Sequence, residues 1–186
     1  MRLSPSDSFR VEATYWLARS HNELSEYSEA LVLLKEVFES ECQERVQVAI
    51  WFDGAIAADR IDQSDLSKQW LKKIWDRYPQ NQLADDAIRQ SLEIDVRAKD
   101  TASALRLIDT FCVAYKDSPL MPEVLELEGR IHYSAEEYQT AINVFRDLLD
   151  NYSGNPARDS NWHYLKALAH IGIEEFENSD AELKKI

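Results

Sequence analysis

Apolar residues recur along this chain every three to four positions, in strokes that repeat. "EYSEALVLLKEVFES" (residues 26–40) and "EYQTAINVFRDLLDN" (residues 137–151) both begin Glu-Tyr and place Ala three residues after the Tyr. Both then continue with large apolar side chains at helical spacing. The two stretches lie 111 residues apart, or three steps of 37. Stepping by 37 from Ala30 meets Ser67, Ala104 and Ala141, all small; from Leu34 it meets Leu71, Ile108 and Phe145, all large. Val37 leads to Ile74, Phe111 and Leu148, Trp51 to Ile88, Leu125 and Trp162, and Ala18 to Ala55, Leu92 and Gly129. A fixed internal period of 20–50 residues signals a stack of like structural units.

Each unit reads as two helices. The pattern predicts helices over 8–23, 27–40, 45–60, 65–78, 82–98, 101–116, 121–134, 136–151, 156–175 and 178–186. They group into units over about 8–42, 45–79, 82–116, 121–153 and a partial 156–186, within one domain spanning 1–186. Ser25 is expected to cap the second helix, Ser134 with Glu137 to form a capping box, and Asp100 or Thr101 to cap the sixth. Asn155-Pro156 marks a helix start, because Pro in the first turn forfeits no hydrogen bond. The small columns mark places where backbones approach, and the large columns fill the space between pairs. The fold class implied is all-α, a solenoid of antiparallel helix pairs with about 4.5 repeats.

Composition strengthens that reading. Four Gly and five Pro in 186 residues are too few for a sheet protein with many tight turns. The net charge is −13, with the acidic excess at both ends, so nucleic acid and anionic membranes are disfavoured as ligands. No apolar run exceeds five residues, which rules out a membrane-inserting helix, and the first twenty residues lack the apolar centre of a secretory signal. Cys42 and Cys112 have no CxxC or Cys/His spacing, so no metal is expected; two units apart, they are expected to stay free thiols.

These residues resemble tetratricopeptide repeats. "EYSEALVLL" and "EYQTAINVF" match the second helix of that motif, Trp51 and Trp162 fall in its leading aromatic column, and Pro79 in "DRYPQNQLADDA" stands at its closing Pro. Pro5 falls one period earlier in the same column, as if at the tail of a preceding unit. The step is 37 rather than 34 residues, and Ser91-Leu92 replaces the expected Leu-Gly in the third unit. The "YP…A" loop resembles repeats of bacterial cell-envelope proteins, such as the Tol-Pal-associated protein and the lipoprotein of outer-membrane assembly. Pro5 in register and the open last unit are read as signs of a fragment of a longer chain.

The resemblance implies a non-enzymatic scaffold whose first helices line a groove for a protein or peptide. Projected onto this chain, the groove residues are Tyr15, Arg19, Phe52, Ile56, Arg89, Glu93, Arg97, Glu126, Arg130 and Tyr133. Tyr15, Phe52 and Tyr133 would be aromatic anchors, and Arg89, Arg97 and Arg130 a carboxylate-binding patch. The competing reading makes those arginines members of i,i+4 pairs with Glu93 and Glu126 on solvated faces, and it outweighs the first. Trp70, beside Lys68 and Lys72, has two readings of at least equal weight: packing against the neighbouring loop, or a second, exposed surface for self-association. His21 and His132 are expected to be buried for structure, His163 and His170 to sit at the surface, and Trp75 to be core. No catalytic set, phosphate loop, metal site or cofactor is indicated. The alternative function is an assembly or regulatory segment of a larger enzyme or envelope complex, binding through its convex face or its C-terminal end.

Overall fold

A computed structural model of the chain describes residues 5–40 and 42–186. These form ten helices: α1 Pro5–Glu23, α2 Tyr27–Val37, α3 Glu44–Arg60, α4 Ser64–Arg77, α5 Ala84–Arg97, α6 Thr101–Ala114, α7 Met121–Ser134, α8 Tyr138–Tyr152, α9 Pro156–Gly172 and α10 Phe176–Leu183. No strand occurs among the described residues. The chain divides into two compact units, one running to Ile94 and the other beginning at Asp95. In the first, α1 packs on α2, α2 on α3 and α3 on α4. In the second, α6 packs on α7, α7 on α8, α8 on α9 and α9 on α10.

The turn inside each helix pair is the same device five times over. Ser25, Asp62, Lys99, Glu136 and Glu174 all have positive φ, between 59° and 62°. The residue after each sends its N–H back five positions: Glu26 to His21, Gln63 to Ala58, Asp100 to Asp95, Glu137 to His132 and Glu175 to His170, at 2.8–2.9 Å. This is a Schellman closure, which satisfies carbonyls at the end of one helix while starting the next. None of the five left-handed positions is Gly, so the chain makes its hairpins with few glycines. The price is modest strain at each turn.

Two expected caps change accordingly. Ser25 is the left-handed turn residue rather than a cap, and Glu26 is the N-cap of α2. Glu137 is itself the N-cap of α8, while the Ser134 hydroxyl donates to the Arg130 and Ile131 carbonyls, so no capping box forms. Asp100 does cap α6, accepting from the Ser103 N–H at 3.1 Å, and Asn155 caps α9 ahead of Pro156. Pro5 lies within α1.

The repeated columns are the core. Ala30, Ser67, Ala104 and Ala141 are fully buried, as are Leu34, Leu71 and Phe145, with Ile108 nearly so. Ala18, Ala55 and Leu92 are equally buried, and Gly129 sits against the Phe145 ring. The left-handed residues fix the register: three steps of 37, then one of 38, from Glu136 to Glu174. The extra residue lies between buried Leu148 and buried Trp162, around Gly154 (φ 131°). Trp162 therefore stands in the column of Ile50, Ala87 and Val124, one place away from the Trp51 column assigned from sequence. Their bonds differ too: the Trp51 indole N–H donates to the Phe38 carbonyl (3.1 Å), that of Trp162 to Glu126 (2.9 Å).

Trp70 departs from the exposed-surface reading and packs locally instead. It is 3% exposed, stacked on Phe38 with ring centroids 4.3 Å apart, and lies directly over Gly54. It offers no surface. Its column, Leu33, Leu107 and Val144, is half-buried and apolar, which is the sequence signal that the two flanking lysines obscure. Trp75 is half-buried rather than core.

Candidate functional site

In the first unit, the first helices and the loop before α5 enclose a cleft of about 480 Å³. Glu12, Trp16 and Arg19 face it from α1, Arg45 and Ala49 from α3, and Asn81, Gln82 and Leu83 from the loop. Trp16 is 55% exposed, unusually open for so large an apolar side chain, and the Arg19 guanidinium lies 5.6 Å from its ring centroid. Beneath them Tyr15 is 5% exposed, and its hydroxyl donates to Asp53 at 3.0 Å while accepting from Arg19 at 3.2 Å. Asn22 donates to the Asp53 carbonyl at 3.2 Å. Burial raises the Asp53 carboxyl above its usual range, with the Tyr15 hydrogen bond and the Arg19 charge acting against it. Burial first, and then the Asp53 charge, raise the Tyr15 hydroxyl in turn. Tyr15 thus holds the floor of the cleft and ties α1 to α3, while Trp16 presents the open aromatic face.

The second unit carries a different cleft, of about 580 Å³, with an apolar lining of Val96, Ala104, Ile131 and Leu165. Lys99 and Arg130 stand at its rim, and Tyr133 joins its wall, edge-on to Tyr138 at 5.5 Å. A cleft of apolar floor and cationic rim suits an apolar group that carries negative charge.

No protein-family model matches the chain, and no curated protein matches it in sequence. Solved structures do. One titled MamA AMB-1 is 18% identical with a TM-score of 0.70, covering 95% of this chain and 90% of that one. A further MamA crystal structure is 12% identical with a TM-score of 0.75, covering 94% and 88%. A Podosopora anserina protein, described as a kinesin light chain with nearly identical TPR-like repeats, is 13% identical with a TM-score of 0.69, covering 95% and 92%. The chain has the tetratricopeptide-like fold. Among the described residues the ten helices make five pairs, the last closed by the eight-residue α10, in keeping with about four and a half such repeats.

Set in these repeats, the residues singled out from sequence divide. Tyr15 and Arg19 lie at the first cleft, Arg130 and Tyr133 at the second. Phe52 and Ile56 are half-buried and line neither, because the first cleft lies over the N-terminal part of α3, up to Ala49. Arg89 is held by Glu93 and by Asp86 (3.6 Å), so its guanidinium serves α5 itself. Glu126 accepts from the Trp162 indole and from Asn161 at 3.2 Å, which makes it a clamp between the first helices of two successive repeats. Arg97 is exposed and lines neither cleft. Glu12, Trp16, Arg45, Gln43, Asn81 and Gln82 line the first cleft without having been singled out from sequence. On α1 the open face is 12, 16 and 19, one residue round from Tyr15, and the adjacent Trp was the available signal.

The histidines also depart from expectation. His21 and His132 are half-buried rather than core, with Nδ1 against Glu26 (2.6 Å) and Glu137 (2.5 Å). His170, expected at the surface, is buried and meets Glu175 at 2.8 Å, which is the same turn pairing a third time. His163, also expected at the surface, lies 2.6 Å from Glu182. Lys166 and Lys185 join that carboxylate at 3.0 and 3.1 Å. Burial alone would raise the Glu182 carboxyl; these hydrogen bonds outweigh it and lower it to about 2. The cysteines are free thiols, as expected: Cys42 lies against Gln47 and Cys112 against Met121. Among the described residues no cluster of His, Cys, Asp and Glu is placed to hold a metal ion, and no helix is long and apolar enough to cross a membrane.

Proposed function

We propose that this protein is a scaffold that holds an extended segment of a partner polypeptide in the first-helix cleft of its first unit, without catalysing a reaction on it. The observation that carries the proposal is Trp16: a half-exposed indole braced by Arg19 over a concave, pre-formed cleft whose floor is fixed by the Tyr15–Asp53 bond. Aromatic and arginine side chains beside a concavity are the usual energetic centre of a protein interface. The planar amides of Gln43 and Gln82 at the margin suit the alternating N–H and C=O groups of an extended backbone, while Asn81 is held in place by Glu44 and the Leu83 N–H. Arg45 and Glu12 supply charges of both signs, so the segment favoured is of mixed charge. The cell-envelope style of the 37-residue step supports a partner in that setting. The similarity of the fold to solved repeat structures supports the reading at the level of architecture only.

The test is selection from a displayed random-peptide library on the immobilised chain, followed by titration of the enriched peptides. Truncating a hot-spot Trp costs about 2 kcal/mol or more, so Trp16→Ala should weaken them by about thirty-fold or more while leaving the far-UV circular dichroism unchanged. Enriched peptides that bind Trp16→Ala and wild type equally would overturn the assignment.

A further inference from the structure

We propose that the cleft of the second unit is a separate binding site for an aliphatic carboxylate, its acyl chain on the apolar floor and its carboxylate at the Lys99 and Arg130 rim. Every lining residue lies between Val96 and Leu165, so the walls are the end of α5, the start of α6, the end of α7 and the middle of α9. Neither end of the chain takes part.

The chain carries 34 acidic residues against 21 basic ones, and such a field repels anions in general. In this cleft the balance is reversed: Lys99 and Arg130 line it, and no Asp or Glu does. Asp100 and Glu136 adjoin Lys99 and Ala135 in sequence, yet neither is part of the lining. Nor does the fold call for these two cations. Lys99 is the left-handed residue of its turn, a position that Ser, Asp and Glu fill in the other four repeats. Its ammonium has no carboxylate or hydrogen-bond partner among the described residues. Arg130 is 59% exposed, and the Glu126 oxygen 3.7 Å from it already accepts from Asn161. That separation is beyond hydrogen-bonding reach, so the guanidinium keeps its donors for an anion.

Size and lining define the rest of the ligand. A volume of about 580 Å³ falls among small-molecule clefts, roughly 300–1,000 Å³. Val96, Ala104, Ile131 and Leu165 present aliphatic surface, which favours a run of methylenes. The Thr101 and Tyr133 hydroxyls complete the polar lining and suit the same carboxylate as donors. An extended polypeptide would need partners for its backbone as well. No amide side chain lines this cleft, unlike Gln43 and Gln82 at the first, and the Ser134 hydroxyl donates to the Arg130 and Ile131 carbonyls.

The test is isothermal titration of the full chain with butanoate, hexanoate and octanoate at matched ionic strength. Each added methylene should tighten binding by about four-fold. Octylammonium, with the same chain and the opposite charge, should bind about ten-fold or more weakly than octanoate. Lys99→Gln with Arg130→Gln should weaken octanoate by about ten-fold or more and erase that preference. Ala135→Trp, at an exposed position of the lining, should cover the floor and abolish binding with unchanged far-UV circular dichroism. A wild type that binds none of the acids, affinity independent of chain length, octylammonium binding as tightly as octanoate, or octanoate binding untouched by both variants would each overturn the proposal. So would tighter binding of an acetylated tripeptide ending in free leucine, which would assign the cleft to a polypeptide terminus.

Discussion

Gly54→Ala separates two effects of opposite sign at one position. A Cβ on Gly54 would lie 1.8, 2.3 and 2.9 Å from three atoms of the Trp70 ring, where carbon atoms rest at about 3.5–4.0 Å. The ring must therefore move by about 1.5–2 Å to restore contact distance. It is stacked on Phe38 on one side and 3% exposed, so it has no free space to enter. Overpacking of this kind costs about 1–3 kcal/mol, and the rigidity of the stack places the cost near the top of that range. Against it, Ala is favoured over Gly within a helix by about 1 kcal/mol. The net expectation is a loss of about 2 kcal/mol, read as a lower urea midpoint by far-UV circular dichroism with unchanged slope. In a Trp70→Leu background the obstruction is gone and only propensity remains, so the same substitution should stabilise by up to about 1 kcal/mol. Gly54→Ala that stabilises the wild-type chain, or has the same sign in both backgrounds, would refute the packing argument.

Other consequences follow from the same geometry. Trp70→Ala should cost about 3–5 kcal/mol as a large buried truncation, whereas Trp16→Ala should shift the urea midpoint very little; comparable losses would mean Trp16 is structural. The Glu182 carboxyl is lowered to about 2 when folded, from an ordinary value of 4.5. The stability it contributes is therefore present above about pH 4.5 and is lost as pH falls towards 2. Glu182→Gln should remove about 2 kcal/mol at neutral pH, since hydrogen bonds from charged groups are lost. It should also flatten unfolding free energy between pH 4.5 and 2 relative to wild type; parallel profiles would contradict the role given to His163, Lys166 and Lys185.

What could be read from the sequence was what a fixed period exposes. The columns through Ala30 and Leu34 are visible because every copy needs a small residue where helices approach and a large one between pairs, whatever else changes. The non-glycine turns were not legible, since Ser, Asp, Lys and Glu share no side-chain property that announces a left-handed backbone. The one-residue slip before Trp162 was hidden because tryptophan at 162 matches tryptophan at 51 so well. The burial of Trp70 was not legible, because it depends on the missing side chain at Gly54, sixteen residues away, rather than on its own neighbours. At the cleft, the sequence pointed to α1 but not to which of its side chains stands open: Tyr15 and Trp16 differ by one position, and the bond from Tyr15 to Asp53 across on α3 goes with the inward one.

The most direct test of the scaffold reading is to map where a bound peptide lies. A peptide enriched from the library, rebuilt with a photoreactive residue and irradiated on the wild-type chain, should cross-link to α1, to the first half of α3 and to residues 81–83, with yield lost when unlabelled peptide competes. Cross-links confined to the outer faces of α2 and α4 would contradict the account.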